Sequence, residues 1–389
     1  MTYPNSVCLS RFTCRFISVI LIALAITGPA RAATLNGVLS VAGPAASSLV
    51  QQVRVTLFEA TEFTPVALAS TVTDEAGHFE LSTNRETSNS ILFLSAALGG
   101  RVRFITILGD HLPEAATINE VTSVAASYAM AQFFRTGRIA GDAFRLRIAA
   151  MMSRNIADPA TGELSEVLRS SPNADQTNAM RLTHSLANLL NQCIQIEGIK
   201  EAVLLSTRNE LRKIPVDTAE ALANLARNPA ENAHLIALFA LTGTAFAPAL
   251  TTEPDQWTIA VKLNDTGRPD VPFGGAANVA WDSRGYAWVA NNVTQGTPNS
   301  TKFNVVLRPD GHPADGTNGE PVSPFNTGGL LGVGWGVTVD RNDHVWFGNF
   351  GWGSPKDLYY PSQTPSSASG AGTGSGVRPR QDVISRSML

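Results

Sequence analysis

Side chains that could do acid–base or metal chemistry are few in this 389-residue chain and lie far apart. His184 and His234 fall in segments of helical periodicity that offer no Cys, Asp or Glu at the spacing of metal ligands. His312 lies in the loop DGHPADG and His344 at a turn position, so neither is expected to point into a shared site. Motifs of serine hydrolases, zinc proteases and phosphate-binding loops do not occur. We therefore predict no catalytic, cofactor-binding or metal-binding residue.

Thiol chemistry is limited in the same way. Cys8 and Cys14 lie in the N-terminal segment considered below, which leaves Cys193 for the rest of the chain. Cys193 continues an apolar helical stripe that begins at Leu182, so we interpret it as a buried, inert thiol. A reactive thiol is the alternative.

One strand–turn–strand phrase occurs twice in the sequence. AWDSRGYAWVANN (280–292) and TVDRNDHVWFGNF (338–350) align at an offset of 58 positions. The alignment pairs Asp282 with Asp340, Trp288 with Trp346 and Asn291 with Asn349. Each phrase predicts a β-hairpin whose turn begins with Asp, because an Asp carboxylate accepts hydrogen bonds from nearby backbone N–H groups. We expect Trp288 and Trp346 to be largely buried against neighbouring sheets.

The strand ends of these hairpins give the candidate binding surface. The start of the first strand and the end of the second lie opposite the turn, at an edge where loops commonly bind ligands. This placement assigns Asn278, Asn291, Trp335 and Asn349 to one face, with a carbohydrate or a peptide as its ligand. The alternative is that Asn291 and Asn349 close the strand ends through local hydrogen bonds.

Residues 1–32 have the pattern of a secretory signal peptide. Arg11 and Arg15 precede an apolar run at 16–27, and a small-x-small sequence follows at 30–32. We expect cleavage after Ala32 and a secreted or periplasmic protein with no membrane association; an uncleaved anchor is the alternative. A formal net charge of −3 without a basic face argues against nucleic-acid binding.

Hydrophobic periodicity changes along the rest of the chain. Residues 33–112 alternate as β-strands do, whereas 117–245 have helical spacing, which predicts about five or six helices. Capping boxes at 117–120 and 217–220 predict two of the helix starts. Residues 354–389 are rich in Ser, Gly and Pro without periodicity, so we predict a disordered low-complexity tail.

Two stretches resemble known families. The segments LNGVLSV, VRVTLFEA and TVTDEAGHFEL make 33–112 resemble the carboxypeptidase regulatory-like, or prealbumin-like, β-sandwich, which implies an accessory module for binding or spacing. The segments INEVTSVAASYAMAQF, ANLARNPAENAHLIALFAL and FAPALTTEPDQWTIAVKL precede the Trp repeats. In this order they resemble a bacterial family of secreted proteins with an NHL-type or virginiamycin B lyase-like β-propeller, over about 115–353.

The predicted fold class is therefore multi-domain α and β. It comprises an N-terminal β-sandwich, a central helical domain and, at 255–353, an incomplete β-propeller with two recognisable blade hairpins. Residues 257–263 are a candidate extra strand. Two blades leave sheet edges exposed, so we expect either reduced stability of this region or association with another chain through those edges.

Two functions follow from this interpretation. The favoured one is an exported, non-catalytic binding or scaffold protein. The alternative is a degenerate metal-dependent propeller lyase or lactone hydrolase, because the resemblance to such propellers implies a metal near the axis. Metal ligands would then have to converge from several blades, and this chain offers two.

Overall fold

The computed structural model describes residues 33–43, 46–83, 90–196, 198–292, 302–326, 330, 333–349, 373–377 and 383–387. Helices and several small sheets make it a mixed α and β protein. The predicted signal peptide lies outside the described residues. Within the described ranges, no helix is both long and apolar enough to cross a membrane.

Two sheets form the N-terminal part. Their strands are β1 (Ala33–Leu39), β2 (Arg54–Ala60), β3 (Val66–Val72), β4 (His78–Thr83), β5 (Ile91–Gly99), β6 (Val102–Gly109) and β7 (Ala115–Ile118). One sheet has the order β4-β1-β7 and the other β3-β2-β5-β6. A short helix, α1 (Ala46–Val50), follows β1. Alternate side chains of both sheets, among them Leu35, Leu57 and Phe104, belong to one buried cluster.

Helices cover the second face of the larger sheet. They are α2 (Glu120–Ala129), α3 (Ala143–Ser153), α4 (Glu166–Arg169), α5 (Ala179–Gln195), α6 (Ile199–Ser206), α7 (Thr218–Arg227) and α8 (Ala233–Ala240), with the short strands β8 (Phe134–Arg135) and β9 (Arg138–Ile139) between α2 and α3. Phe93 and Ile105 of the sheet pack with Met130, Leu146 and Ala223 of the helical part. The change from strand to helical periodicity predicts a domain boundary between 112 and 117, whereas buried side chains from both sides of that boundary share common clusters.

Of the two predicted helix starts, one has the predicted N-cap residue and the other has a different one. Asp217 is the N-cap of α7, and its carboxylate accepts the Glu220 N–H at 2.8 Å, as predicted. Helix α2 instead has Asn119 as its N-cap, in a reciprocal box with Thr122. Thr117 cannot fill that role because it belongs to strand β7.

Glu120, the first residue of α2, is a buried carboxylate without a cation among its described partners. Its Oε1 accepts hydrogen bonds from the Ala42 N–H at 3.0 Å and from Asn191 Nδ2 at 2.8 Å. The Asn191 amide also donates to the Ala42 carbonyl at 2.8 Å, so this junction ties the segment after β1 to α2 and α5. Burial raises the pKa of Glu120, and the hydrogen bonds offset only part of that effect.

The C-terminal part contains two further antiparallel sheets. Their strands are β10 (Ala276–Trp281), β11 (Ala287–Asn291), β12 (Val305–Leu307), β13 (Val333–Val339), β14 (Val345–Asn349), β15 (Thr373–Val377) and β16 (Val383–Ser387). The orders are β10-β11-β12 and β13-β14-β15-β16, so consecutive strands are neighbours. Both repeats form the predicted hairpins, β10–β11 and β13–β14.

Two segments differ from the sequence-based expectation in this part. The tail was expected to lack regular structure, whereas 373–377 and 383–387 are strands added to the edge of β14. Ladder hydrogen bonds use backbone groups, so a composition rich in Ser and Gly does not prevent this pairing. Residues 257–263, the candidate extra strand, belong to no strand.

A repeated aspartate holds each hairpin turn to the Trp that follows it. Asp282 Oδ1 accepts the N–H groups of Arg284 and Tyr286 at 2.9 and 3.0 Å, and its Oδ2 accepts Trp288 Nε1 at 3.2 Å. The second repeat has the same pattern: Asp340 accepts the N–H groups of Asn342 and His344 at 2.8 and 3.0 Å, and Trp346 Nε1 at 3.3 Å. The repeat in the sequence is therefore a repeat of one hydrogen-bond network.

Aromatic side chains join the two sheets face to face. The Trp288 ring lies 5.8 Å from that of Phe325 and 6.1 Å from that of Phe347. Trp288 is fully buried, as predicted, and Trp346 is buried to a lesser degree. Successive side chains of a strand point to opposite faces. Because Val345 and Phe347 face the first sheet, Trp346 lies on the other face of the second sheet.

The two Trp positions are expected to differ in their contribution to stability. Trp288→Ala removes a fully buried indole and should cost about 3–5 kcal/mol. Trp346→Ala removes the same hydrogen bond but a half-buried ring, so we expect roughly 1–2 kcal/mol. Urea unfolding followed by circular dichroism gives both values. Equal losses in the two variants would contradict the different burial of the two faces.

A pH-dependent contribution is expected from Glu120. Its folded-state pKa is above the unfolded value, so the stabilising effect of protonation is complete below the unfolded pKa and is lost as the pH rises through the folded one. Glu120→Gln does not titrate. Its stability relative to the natural chain should therefore improve as the pH is raised from about 4 to about 7. Urea midpoints across that range test this, with the exposed Glu75→Gln as control. A constant difference between natural chain and variant would show that Glu120 does not titrate abnormally.

Candidate functional site

The linker between the helices and the C-terminal sheets begins at a buried tryptophan. Trp257 is fully buried in the core that the helices share with the N-terminal sheets. Its Nε1 donates to the Ala233 carbonyl at 3.1 Å, and its backbone N–H donates to the Pro229 carbonyl at 2.9 Å. The Tyr128 hydroxyl donates to the Trp257 carbonyl at 2.9 Å. These contacts fix the point at which the chain leaves the helical part.

A side-chain amide holds the linker further along. Asn173 is buried, and its Nδ2 donates to the Lys262 carbonyl at 2.7 Å while its Oδ1 accepts the Lys262 N–H at 2.9 Å. The amide thus supplies the donor and acceptor that a neighbouring strand would supply. Ile259 and Val261 lie between the two anchors and are partly buried. The linker is therefore held in an extended form without belonging to a sheet.

Helix α3 lies where the first C-terminal sheet meets the helices. Its N-cap Asp142 accepts the Arg145 N–H at 3.0 Å. Gly285, in the turn of the first hairpin, has φ +82° and approaches Ile148 so closely that a Cβ there would lie 1.9 Å from Ile148 Cδ1. Asn155, just after α3, donates from Nδ2 to the Pro309 carbonyl at 2.8 Å. This junction leaves a pocket on each side of Ile148.

The larger pocket, which we call the apolar cleft, has a volume of about 530 Å³. Most of the large aliphatic side chains that line it come from three segments: Ile148, Met152 and Ile156 from and after α3, Val261 and Leu263 from the linker, and Leu307 from β12. Trp281, at the end of β10, also lines the cleft and is 62% exposed. A cleft of this size and composition is typical of small-molecule sites.

Polar groups in the apolar cleft are few and mostly paired. Burial raises the pKa of Tyr128, so its hydroxyl stays a neutral donor to the linker. Arg308 lies within 3.6 Å of Asp310, 3.2 Å of Asp315 and 3.6 Å of Glu320, so its charge is compensated. The cleft therefore suits a ligand that brings little charge of its own.

The predicted ligand face at the strand ends is brought together only in part. Asn291 is fully buried; its Oδ1 accepts the Gly274 N–H at 3.0 Å and its Nδ2 donates to the Pro272 carbonyl at 2.9 Å. Both ends of the amide are used, so the ligand role is not available to Asn291. It has the strand-closing role that was the alternative prediction.

The other three residues of that face differ from Asn291. Asn278 is exposed, and its Oδ1 accepts the N–H of the next residue, Val279, at 2.8 Å. Trp335 is 56% exposed. Both lie where their strands bulge against the partner strand, and a bulge can redirect a side chain outward. Asn349 pairs through its backbone with Val333, and its side chain lies outside the described part of the chain.

Cys193, His184, His234 and His344 are each either buried or in contact with a neighbouring polar group. Cys193 is buried, as predicted, and burial raises its pKa to about 12. His184 Nδ1 lies 2.8 Å from the Pro248 carbonyl, and His234 Nδ1 lies 2.8 Å from Glu253 Oε2. His344 Nδ1 lies 2.9 Å from Asp340 Oδ2, inside the second turn. Among the described residues, no three His, Cys, Asp or Glu side chains are grouped to hold a metal ion.

Sequence reasoning did not predict the apolar cleft. Its lining comes from segments more than 100 residues apart, such as Tyr128 and Leu307. The available signal was the alternation of Trp257, Ile259, Val261 and Leu263, which was interpreted as a strand. An extended linker that buries alternate side chains has the same alternation in its sequence, although it pairs with no strand.

The two asparagines of the first hairpin should respond differently to substitution. Asn291→Ala removes a fully buried side chain and leaves the partly buried Gly274 N–H and the Pro272 carbonyl without their amide partner, which should cost about 1–3 kcal/mol. Asn278→Ala removes an exposed side chain and should change the stability by less than about 0.5 kcal/mol. Thermal unfolding of both variants checks this. A stable Asn291→Ala protein would show that the amide does not close the strand end.

Comparisons of this chain with protein-family models, with curated proteins and with solved structures find no match. The candidate site therefore stands on its geometry.

Proposed function

We propose that this chain is an exported, non-catalytic binding protein that holds a small, largely uncharged apolar molecule in the apolar cleft. The observation that carries the proposal is the cleft itself, about 530 Å³ between α3, the linker and the first C-terminal sheet. Export rests on the signal-peptide pattern of residues 1–32.

The lining of the cleft favours binding over catalysis. None of the described residues that line it is a histidine, a cysteine or a carboxylate. The Tyr128 hydroxyl already donates a hydrogen bond to the Trp257 carbonyl, at the start of the linker. General acid–base and nucleophilic catalysis need such groups with an accessible proton or lone pair. Burial of apolar surface, worth about 25 cal/mol per Å², would then supply most of the affinity.

We also propose that the two C-terminal sheets are blades of a propeller-type arrangement. Three observations support this: the sequential antiparallel strand order, the shared Asp–Trp network, and the face-to-face packing through Trp288 and Phe347. In that arrangement, the exposed Asn278 and Trp335 lie at the strand-end face, and their exposure supports a second ligand surface for a carbohydrate or a peptide.

The enzyme alternative, a degenerate metal-dependent lyase or lactone hydrolase, rests on the family resemblance. Titration calorimetry of the mature chain with Mg²⁺, Ca²⁺ and Zn²⁺, followed by assay on a panel of lactones, separates it from the binding function. We expect no stoichiometric metal binding and no turnover. One tight metal site accompanied by turnover would replace the binding proposal with the enzyme.

A charge placed in the apolar cleft should abolish binding of a neutral apolar probe. Met152 is the penultimate residue of α3, lines the cleft and is 49% exposed. Leu205 is the penultimate residue of α6, lies away from the cleft and is 50% exposed. Because the two positions match in helix context and exposure, Leu205→Asp controls for the general effect of Met152→Asp.

The probe is N-phenyl-1-naphthylamine, which is uncharged at neutral pH and fluoresces when it is transferred from water to an apolar site. We expect saturable binding by the natural chain and by Leu205→Asp, and at least about tenfold weaker binding by Met152→Asp, because an unpaired charge in the cleft must be desolvated. Equal affinities in all three chains would place the probe elsewhere and remove the support for the cleft.

A further inference from the structure

A second pocket lies on the other side of Ile148 and differs from the apolar cleft in charge. It has a volume of about 420 Å³ and is bounded by α3, by the loop after β6 at 109–111, and by the turn of the first hairpin. Three arginines line it: Arg147, Arg154 and Arg284. We call it the basic pocket.

The guanidinium groups of the basic pocket are only partly used by the protein. Arg154 donates from one Nη to the Leu108 carbonyl at 3.1 Å. Arg284 is paired with Asp282 at 3.1 Å and lies 4.5 Å from the centre of the Tyr286 ring, but its Nε is buried and has no partner. Arg147 has neither a hydrogen bond nor an ion pair from its side chain to any described residue. Each arginine therefore has N–H groups left to donate.

Two of the arginine charges in the basic pocket have no ion pair to a described carboxylate. Carboxylates do lie at or next to the pocket: Asp110 lines it beside His111, Asp282 is paired with Arg284, and Asp343 accepts hydrogen bonds from the lining Ser283. None of these contacts reaches the guanidinium of Arg147 or Arg154, and both arginines are partly buried. An accumulation of positive charge at partly buried side chains is costly unless an anion compensates it.

The wall that α3 and β5 add to the arginines is apolar. Ile91 at the start of β5 and Phe144, Ile148 and Met151 on one face of α3 line the same pocket. The spacing of 144, 147, 148 and 151 places them on one side of the helix, with Arg147 among the apolar side chains. An inorganic anion would leave this apolar wall unused, whereas an anion attached to an apolar body would cover it.

We propose that the basic pocket binds a small organic carboxylate, with the carboxylate against the arginines and an apolar body along α3. A carboxylate matches the two parallel N–H groups of a guanidinium. A dianionic phosphate would bring a second negative charge close to Asp110 and to the Asp343 that contacts Ser283. This pocket is separate from the apolar cleft, so the inference does not depend on the function proposed above.

Arg147 offers the cleanest test, because its side chain has no partner to lose among the described residues. Arg147→Met removes the charge and keeps a long apolar side chain on α3. Arg145→Met makes the same change on the same helix at an exposed position outside the pocket, and serves as the control. Arg147→Lys keeps the charge but loses the two-pronged donor geometry. Thermal unfolding of all three variants verifies that they fold.

The experiment is titration calorimetry of the mature chain with 4-phenylbutanoate, with its neutral analogue 4-phenylbutan-1-ol and with phenyl phosphate. We expect the carboxylate to bind at least tenfold more tightly than the alcohol and more tightly than the dianionic phosphate. Arg147→Met should weaken carboxylate binding at least tenfold, Arg147→Lys should weaken it less, and Arg145→Met should leave it unchanged. Binding should also weaken as salt is raised.

Three outcomes would overturn the proposal. The first is absence of carboxylate binding up to millimolar concentrations. The second is equal binding of the carboxylate and the alcohol, or equal effects of the variants at 147 and 145, because either would show that the charge of Arg147 does not contribute. The third is tighter binding of phenyl phosphate, which would assign the pocket to a different class of anion. The neutral-probe experiment on the apolar cleft can succeed or fail independently of all three.

Discussion

The arrangement of the C-terminal sheets on the helices depends on the burial of one side chain, Trp257. The indole is fully buried in the helical core, and the residue takes part in three hydrogen bonds through its side chain and backbone. Burying a large aromatic side chain is worth several kcal/mol, so this anchor is not exchanged easily for another. Asn173 then holds Lys262 by two hydrogen bonds, and the chain between these anchors has little freedom. The place at which the first sheet meets α3 follows from that restriction.

Helix α3 consequently borders two pockets of different chemistry. On one side of Ile148, the apolar cleft has one arginine, Arg308, whose charge is compensated by three carboxylates. On the other side, the basic pocket has three arginines, of which Arg147 has no ion pair to a described residue. The same turn of the first hairpin closes both, because Gly285 lies directly on Ile148. One contact therefore separates a surface suited to neutral molecules from a surface suited to anions.

The parts of this structure that could be predicted from the sequence are those set by local rules. An Asp before a turn, as at 282 and 340, and an Asp before a helix, as at 217, act through backbone groups within four residues, and both predictions are confirmed. The lesser burial of Trp346 could not be predicted in this way, because its position in the repeat matches Trp288 whereas its surroundings do not. The two pockets could not be predicted, because segments far apart in the sequence supply their linings, as Arg147 and Arg284 do in the basic pocket.

The different environments of Trp288 and Trp346 give the packing of the sheets a direction. The first sheet presents its Trp to the second, and the second presents Val345 and Phe347 in return, so the two partners of the contact are not alike. A contact between unlike faces cannot be repeated by a two-fold axis, which brings identical faces together. Any further sheet that repeated this packing would have to meet Trp346 with a face like that of Val345 and Phe347. Repetition of this contact would therefore add sheets in one direction only. Two copies that met through their Trp346 faces would instead form an interface between identical faces.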